Sequence, residues 1–247
     1  MTARWAVALL AAALVSPPAG TPVHGGDRSP LPVCRVSTGR PLVAVTFDDG
    51  PFPAATAAAR RLLRRHDARA TFFLVGGRAF RRPGVVAALR RDGMEVANHT
   101  WSHVVPAGLG PDRSAAEIRR TADAIAGAEA LFRPPQGRID LDGLRAAREA
   151  GLLTVVWSVA VERYTSGRPV DEAARELLAR IGPGDIVLAH ERAPGTLAAI
   201  ERLLDGLASR GLRAVSVTEL LDAGRPVRAL PVDGPLTSGN ARYVCPG

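Results

Sequence analysis

From residue 42 onward, short runs of apolar, β-branched and aromatic residues alternate with longer segments whose apolar positions recur every three to four residues. The short runs suit strands buried on both faces, and the longer segments suit helices with one buried stripe. Seven strands are predicted, over 42–47, 70–75, 95–98, 131–133, 152–159, 185–190 and 213–217. Helices are predicted over 54–65, 84–91, 112–126, 140–150, 170–181, 195–209 and 218–223. Gly93, Gly151 and Gly211 stand just past three of these helices, where a residue tolerant of positive φ makes a good terminator. Regular alternation of strand and helix implies parallel strands joined by crossover helices. Without a long polar interruption, the pattern predicts an α/β fold, a distorted (β/α) barrel of about seven parallel strands, with an open sheet as the alternative. In both architectures the chemistry gathers at the C-terminal ends of the strands.

The two ends of the chain read differently. Arg4 gives the first four residues a positive charge, residues 5–15 are an unbroken apolar run, and Ser16, Pro17, Pro18, Ala19 and Gly20 follow. That is the layout of a secretory signal peptide, so residues 1–26 are assigned to signal peptide and linker and the protein is expected to be secreted. The run falls short of the roughly 20 residues that span a bilayer, and no second one follows, so no stable membrane span is expected. Residues 34–224 form the predicted domain, and the Pro- and Gly-rich stretch 225–247 a C-terminal tail. Cys34 and Cys245, the two cysteines of the chain, stand at the two borders of the domain. In an exported chain such a pair is expected to form one disulfide, with two independent thiols as the alternative.

A length of 247 residues suits one catalytic domain, and 47% apolar against 23% charged residues excludes a disordered chain. The net charge of +8 comes from arginine alone, because the chain has no lysine. Clusters such as Arg60, Arg61, Arg64 and Arg65 read as solvated helix faces, with attraction to an anionic cell wall as a secondary effect. No nucleic-acid motif accompanies the charge, so nucleic acid is not an expected partner; a monomer is the default.

The predicted strand ends carry the candidate chemistry. Strand 42–47 runs into Asp48, Asp49, Gly50 and Pro51, and strand 95–98 into His99, Thr100, Trp101, Ser102 and His103. Strand 131–133 ends in Arg133, followed by Pro134, Pro135, Gln136 and Gly137; strand 152–159 carries Trp157, and strand 185–190 ends in Leu188, Ala189 and His190. On a helical turn, His99 and His103 would point the same way and could hold one ion, although the pair alone is a weak signal. A carboxylate from the first strand would complete a His-His-Asp set with open positions, as in a catalytic zinc site. Adjacent aspartates allow one to bind the ion and the other to accept a proton from water, whereas Asp-Asp-Gly alone is more often a solvated turn. Arg133 at the same rim would pair with and orient Asp48. His190 reads either as a satisfied core histidine or as a general acid.

These residues resemble the polysaccharide deacetylases with a NodB homology domain, carbohydrate esterase family four. The resemblance rests on T-F-D-D-G-P at 46–51, Thr56, A-T-F-F at 70–73, N-H-T-W-S-H at 98–103, R-P-P-Q-G at 133–137 and L-A-H at 188–190. It implies a distorted barrel, Asp48 as catalytic base, and Asp49, His99 and His103 as ligands of a divalent ion, zinc or, alternatively, cobalt. It further implies Arg133 as partner of Asp48, the Gln136 backbone N–H at the oxyanion, Leu188 at the acetyl methyl group and His190 as acid. Trp157 would line the substrate site. The expected substrate is an N-acetylated polysaccharide of the cell-wall or chitin type, with O-acetyl ester cleavage or sugar binding without turnover as alternatives. One departure bears on His190. Where the family carries aspartates in D-x-x-D-W, this chain has Ala160, Val161, Glu162, Arg163 and Tyr164. His190 is therefore expected to lack its carboxylate partner and to titrate lower, unless Glu162 reaches back.

Overall fold

A computed structural model of the chain describes residues 29–232 and 242–246. The apolar run at 5–15, assigned to a signal peptide, lies outside these residues. The order is β1 (Val33–Ser37), β2 (Leu42–Asp48), α1 (Pro53–Arg65), β3 (Thr71–Leu74), α2 (Gly76–Phe80), α3 (Pro83–Arg91) and β4 (Glu95–Asn98). Next come α4 (Pro111–Ala124), β5 (Leu131–Phe132), a 3-10 turn (Pro135–Gly137), α5 (Leu141–Glu149), β6 (Leu153–Thr154), β7 (Val159–Ala160), α6 (Glu162–Thr165) and α7 (Val170–Arg180). β8 (Ile186–His190), α8 (Thr196–Ser209), β9 (Arg213–Val215), α9 (Val217–Leu221), β10 (Arg225–Arg228), β11 (Leu230–Pro231) and β12 (Tyr243–Val244) complete the described chain.

The parallel strands follow the path β6-β5-β4-β3-β2-β8-β7, with β9 pairing the first half of β2 beside this path. They form a curled, distorted (β/α) barrel with helices around it. The predicted single strand at 152–159 is two strands, β6 and β7, which sit at opposite ends of the path. Val155 N–H still donates to Phe132 on β5, Val156 N–H donates to Val33 on β1, and Ser158 N–H donates to Ile186 on β8. The chain thus steps from one edge of the sheet to the other across β1, which also bridges to Asp185. β1 thereby bridges part of the gap between the β6 side and β8 and pairs backbone groups that an open sheet would leave exposed.

Alternation along each strand decides which side chains enter the barrel. Val43, Val45 and Phe47 face outward into a core shared with Leu62, Leu63, Leu203 and Leu207 of the helices, where Phe47 stacks on Phe72 at 5.0 Å. Leu42 and Ala44 face inward with Val33, Phe73, Ala97, Leu131 and Ile186. The same parity carries Thr46 and Asp48 inward on β2, Leu188 and His190 on β8, and the positions leading to His99 and Arg133 after β4 and β5. Residues 225–228, left above as tail, form β10 and pair antiparallel with β1. Cys34 on β1 is disulfide-bonded to Cys245, with 5.6 Å between their Cα atoms.

Candidate active site

The β2–β8 register sets Asp48 beside His190 at the C-terminal mouth of the barrel. Asp48 is 3% exposed and Arg133 fully buried. Arg133 Nη1 donates to Asp48 Oδ1 at 2.8 Å and to Thr46 Oγ1 at 2.7 Å, while Nη2 donates to the Val156 carbonyl at 3.0 Å. Its guanidinium also lies 4.0 Å from the Phe73 ring centroid. Burial draws the Arg133 guanidinium below its usual pKa, and the Asp48 charge acts the other way. A buried charge pair is tolerable only when the remaining donors are also satisfied, as Thr46 and Val156 do here. Removing Arg133 would strand a buried carboxylate.

Asp49, His99 and His103 bring one carboxylate oxygen and two imidazole nitrogens within 4.8 Å of one another. Asp49 Oδ1 lies 2.7 Å from His103 Nε2 and 3.4 Å from His99 Nε2. His99 Nδ1 sits 2.7 Å from the Arg133 carbonyl, an acceptor that places the ring proton on Nδ1 and leaves the Nε2 lone pair facing Asp49. A lone pair turned toward a buried carboxylate oxygen calls for a cation between them, so these residues fit a divalent ion. Burial raises the Asp49 carboxyl, yet the two imidazoles of His103 and His99 beside it outweigh this and hold the group well below the ordinary carboxylate range. Positive charge is favoured at this oxygen. The histidines do not converge on a helical turn, as their spacing predicts; residues 99–103 are a loop in which Thr100 and His103 have φ of 61° and 66°. Two left-handed residues, not helical periodicity, aim the rings.

His190 has a carboxylate partner, which corrects the expectation drawn from Ala160. Glu162 Oε2 lies 3.3 Å from His190 Nδ1, and Glu162 Oε1 accepts the His190 backbone N–H at 2.7 Å. Thr196 Oγ1 donates to the same oxygen at 3.1 Å. β7 ends at Ala160 and Glu162 begins α6, so the chain bends and the carboxylate returns from the helix instead of from the strand. The Glu162 hydrogen bond raises the His190 pKa; burial opposes this, and the charges of Asp48, Glu162 and Asp49 add to it. Burial alone would raise Glu162, but its bonds to His190 bring it below its usual value.

The predicted lining residues also gather here. Leu188 is buried on β8, and Gln136 is exposed with φ 60° at the centre of the 3-10 turn. Half-buried Trp157 packs so closely on Gly137 that a Cβ there would lie 2.7 Å from the indole. Sequence reasoning did not find Glu191. It is 3% exposed, accepts hydrogen bonds from Thr56 Oγ1 and the Phe52 N–H through Oε1, and lies under the Gly50 turn. Burial pushes its carboxyl up to about 7, against the opposing effect of the Thr56 and Phe52 hydrogen bonds. The adjacency to His190 was its only local signal.

A family model described as polysaccharide deacetylase matches residues 35–155. A peptidoglycan-N-acetylglucosamine deacetylase of Bacillus cereus is 34% identical over 194 residues, 76% of this chain and 91% of the relative. A chitooligosaccharide deacetylase of Sinorhizobium fredii is 36% identical over 199 residues, 72% of this chain and 91% of the relative. Among solved structures, a family 4 carbohydrate esterase from Streptomyces lividans in complex with acetate superposes with a TM-score of 0.67 at 33% identity, covering 78% of this chain and 99% of that one. Motif order, barrel and relatives agree: the chain belongs to the polysaccharide deacetylases of carbohydrate esterase family four.

Proposed function

We propose that this protein is a secreted, metal-dependent hydrolase that removes N-acetyl groups from a glucosamine-containing polysaccharide of the cell-wall type. The observation that carries this reading is the joint placement of an Arg133-held Asp48, a converging Asp49, His99 and His103 set, and a Glu162-supported His190 at one barrel mouth. Asp49, His99 and His103 would hold the ion, zinc by the chemistry of two imidazoles and one carboxylate, with cobalt as a substitute. When bound, such an ion supplies Lewis-acid polarisation of the acetyl carbonyl and eases deprotonation of water.

Asp48 takes the proton of the attacking water, with Arg133 and Thr46 fixing its orientation. The backbone N–H of Gln136 contributes to holding the developing oxyanion. Leu188 and Trp157 bound the space for the acetyl methyl group and the sugar. His190 Nε2 gives its proton to the departing amine nitrogen, and Glu162 favours the charged form of that imidazole. An amine needs this proton more than an alkoxide does, so the Glu162–His190 pair supports the amide reading over O-acetyl ester cleavage. The disulfide and the peptidoglycan-acting relative support an extracellular place of action. Release of acetate from N-acetylated chitooligosaccharide and peptidoglycan, side by side with acetylated xylan, tests the reading. Acetate from xylan alone overturns it in favour of the esterase, and acetate from none in favour of a sugar-binding protein.

A further inference from the structure

Beside His103 lies a cavity of about 320 Å³ bordered by Val75, Gly77, Arg78, Arg81, Trp101 and Ser102. Its chemistry contrasts with that of the barrel mouth. Arg78 donates to the Asp49 carbonyl and lies 4.6 Å from the Phe52 ring centroid; Arg192, arriving after β8, lies 4.7 Å from the same ring. Arg81 and Arg82 follow on the same turn of chain. Burial lowers the Arg78 pKa, Asp49 opposes this, and the charges of Arg192, Arg82 and Arg81 lower it further.

Several surface arginines elsewhere are neutralised: Arg60 by Asp92, Arg65 by Glu201, Arg168 by Glu172 and Glu176, Arg202 by Asp171 and Arg213 by Glu219. Here they are not. Among the described residues, Arg81, Arg82 and Arg192 form no ion pair with a carboxylate. Acidic groups near the flank are engaged elsewhere: Asp49 with the two histidines, Glu117 with Ser102 N–H and Oγ at 2.8 and 3.0 Å, and buried Glu191 with Thr56 and the Phe52 N–H. Next to the arginines, Phe80 is 66% exposed and contacts Trp101 at 5.9 Å between ring centroids, while Arg120 covers the indole at 3.8 Å. An exposed ring beside unpaired guanidinium groups offers an apolar platform for a pyranose face and charge for an anion attached to it.

We propose that this flank is a substrate subsite in which Arg81 and Arg192, backed by Arg78, receive a carboxylate on a sugar neighbouring the one being deacetylated. The substrate class is then an acidic glycan, such as peptidoglycan strands with lactyl carboxylates, in preference to a neutral chitin-like polymer. This inference rests on the deacetylase reading and adds to it a determinant of specificity.

The test uses one peptidoglycan tetrasaccharide in two forms, with free lactyl carboxylates and with the same groups converted to amides. The metal-loaded wild-type protein should show a KM about tenfold lower for the carboxylate form at similar kcat, a difference that fades as salt rises from about 50 to about 500 mM. Arg81→Gln and Arg192→Gln, on different elements, should each raise KM for the carboxylate form and so narrow the gap, and Arg81→Lys should restore part of it. Equal KM values for the two forms in wild type overturn the subsite. So do variants that raise KM for both forms alike, the mark of a merely structural role. Wild type that releases acetate from neither form defeats the deacetylase reading itself, a distinct failure.

Discussion

Glu162→Gln isolates the charge that supports His190. Glutamine can still accept the His190 N–H and the Thr196 hydroxyl through its carbonyl oxygen, so the local backbone geometry is kept. What disappears is the negative charge 3.3 Å from Nδ1. The side chains are 36% and 27% exposed, so the dielectric of water is the safer guide. At that separation Coulomb's law gives about 1.3 kcal/mol in favour of the imidazolium. That corresponds to about an eightfold loss of the acid form at a pH above its titration. The sign is fixed by the direction of the shift. A raised His190 pKa extends the protonated form to higher pH, so removing its cause moves the falling limb of kcat/KM to lower pH. Acetate release from a chitooligosaccharide, followed across pH, should therefore be nearly unchanged on the acid side and about eightfold lower beyond the limb. An aryl acetate ester should be less affected, because its leaving group needs little protonation. Ala160→Asp should leave the profile where it is. A Glu162→Gln profile that coincides with wild type, or an Ala160→Asp profile displaced upward, would refute the assignment of Glu162 as the partner of His190.

His103→Ala should weaken divalent-ion affinity by at least about tenfold, read by competition with a chromogenic chelator, because one of three donors is removed. Glu191→Gln should stabilise the metal-stripped protein above neutral pH by about 1 to 3 kcal/mol and have little effect near pH 4. The folded pKa of Glu191 is raised to about 7, so wild-type stability is fullest below the unfolded carboxyl's pKa and is lost as pH rises through about 7. Equal melting temperatures at high pH would count against that burial cost. The Cys34–Cys245 bond closes a loop with a sequence separation of 211, for which chain entropy gives an upper bound of about 5 kcal/mol. Thermal melting of Cys34→Ser should fall well below that of wild type, and two freely alkylatable thiols in the non-reduced wild type would contradict the pairing.

The parts of this fold legible in the sequence are those governed by periodicity. β2, β4 and β8 stand within a residue or two of their predicted spans because an apolar run bounded by helical segments leaves few choices. The break between β6 and β7 was not legible: the run at 152–159 is continuous, and only the closing of the barrel assigns its halves to opposite edges. β1 and β10 escaped for a similar reason, since their pairing joins residues nearly two hundred positions apart. The placement of Asp48, Asp49, His99, Arg133 and His190 at one mouth was legible because strand ends in a parallel barrel face the same way. The loop geometry that aims His103 was not, because positive φ at Thr100 and His103 has no signature in those residue types. Glu162 was weighed only as a substitute, since strand alternation says nothing about a side chain returning from the first turn of α6. Glu191 was invisible, because its burial depends on how α1 and the Gly50 turn close over it.

The central claim is that Asp48 takes a proton at a site whose ion is held by Asp49, His99 and His103. The most direct test titrates zinc into metal-stripped wild type and Asp48→Asn, following bound metal and acetate release from the same samples. The account predicts that both proteins bind about one ion per chain with similar affinity. Wild-type acetate release should rise to saturation with that ion, while Asp48→Asn should stay at least about a hundredfold lower at full occupancy. Acetate release that persists in verified metal-free protein, or an ion-loaded Asp48→Asn nearly as active as wild type, would contradict it.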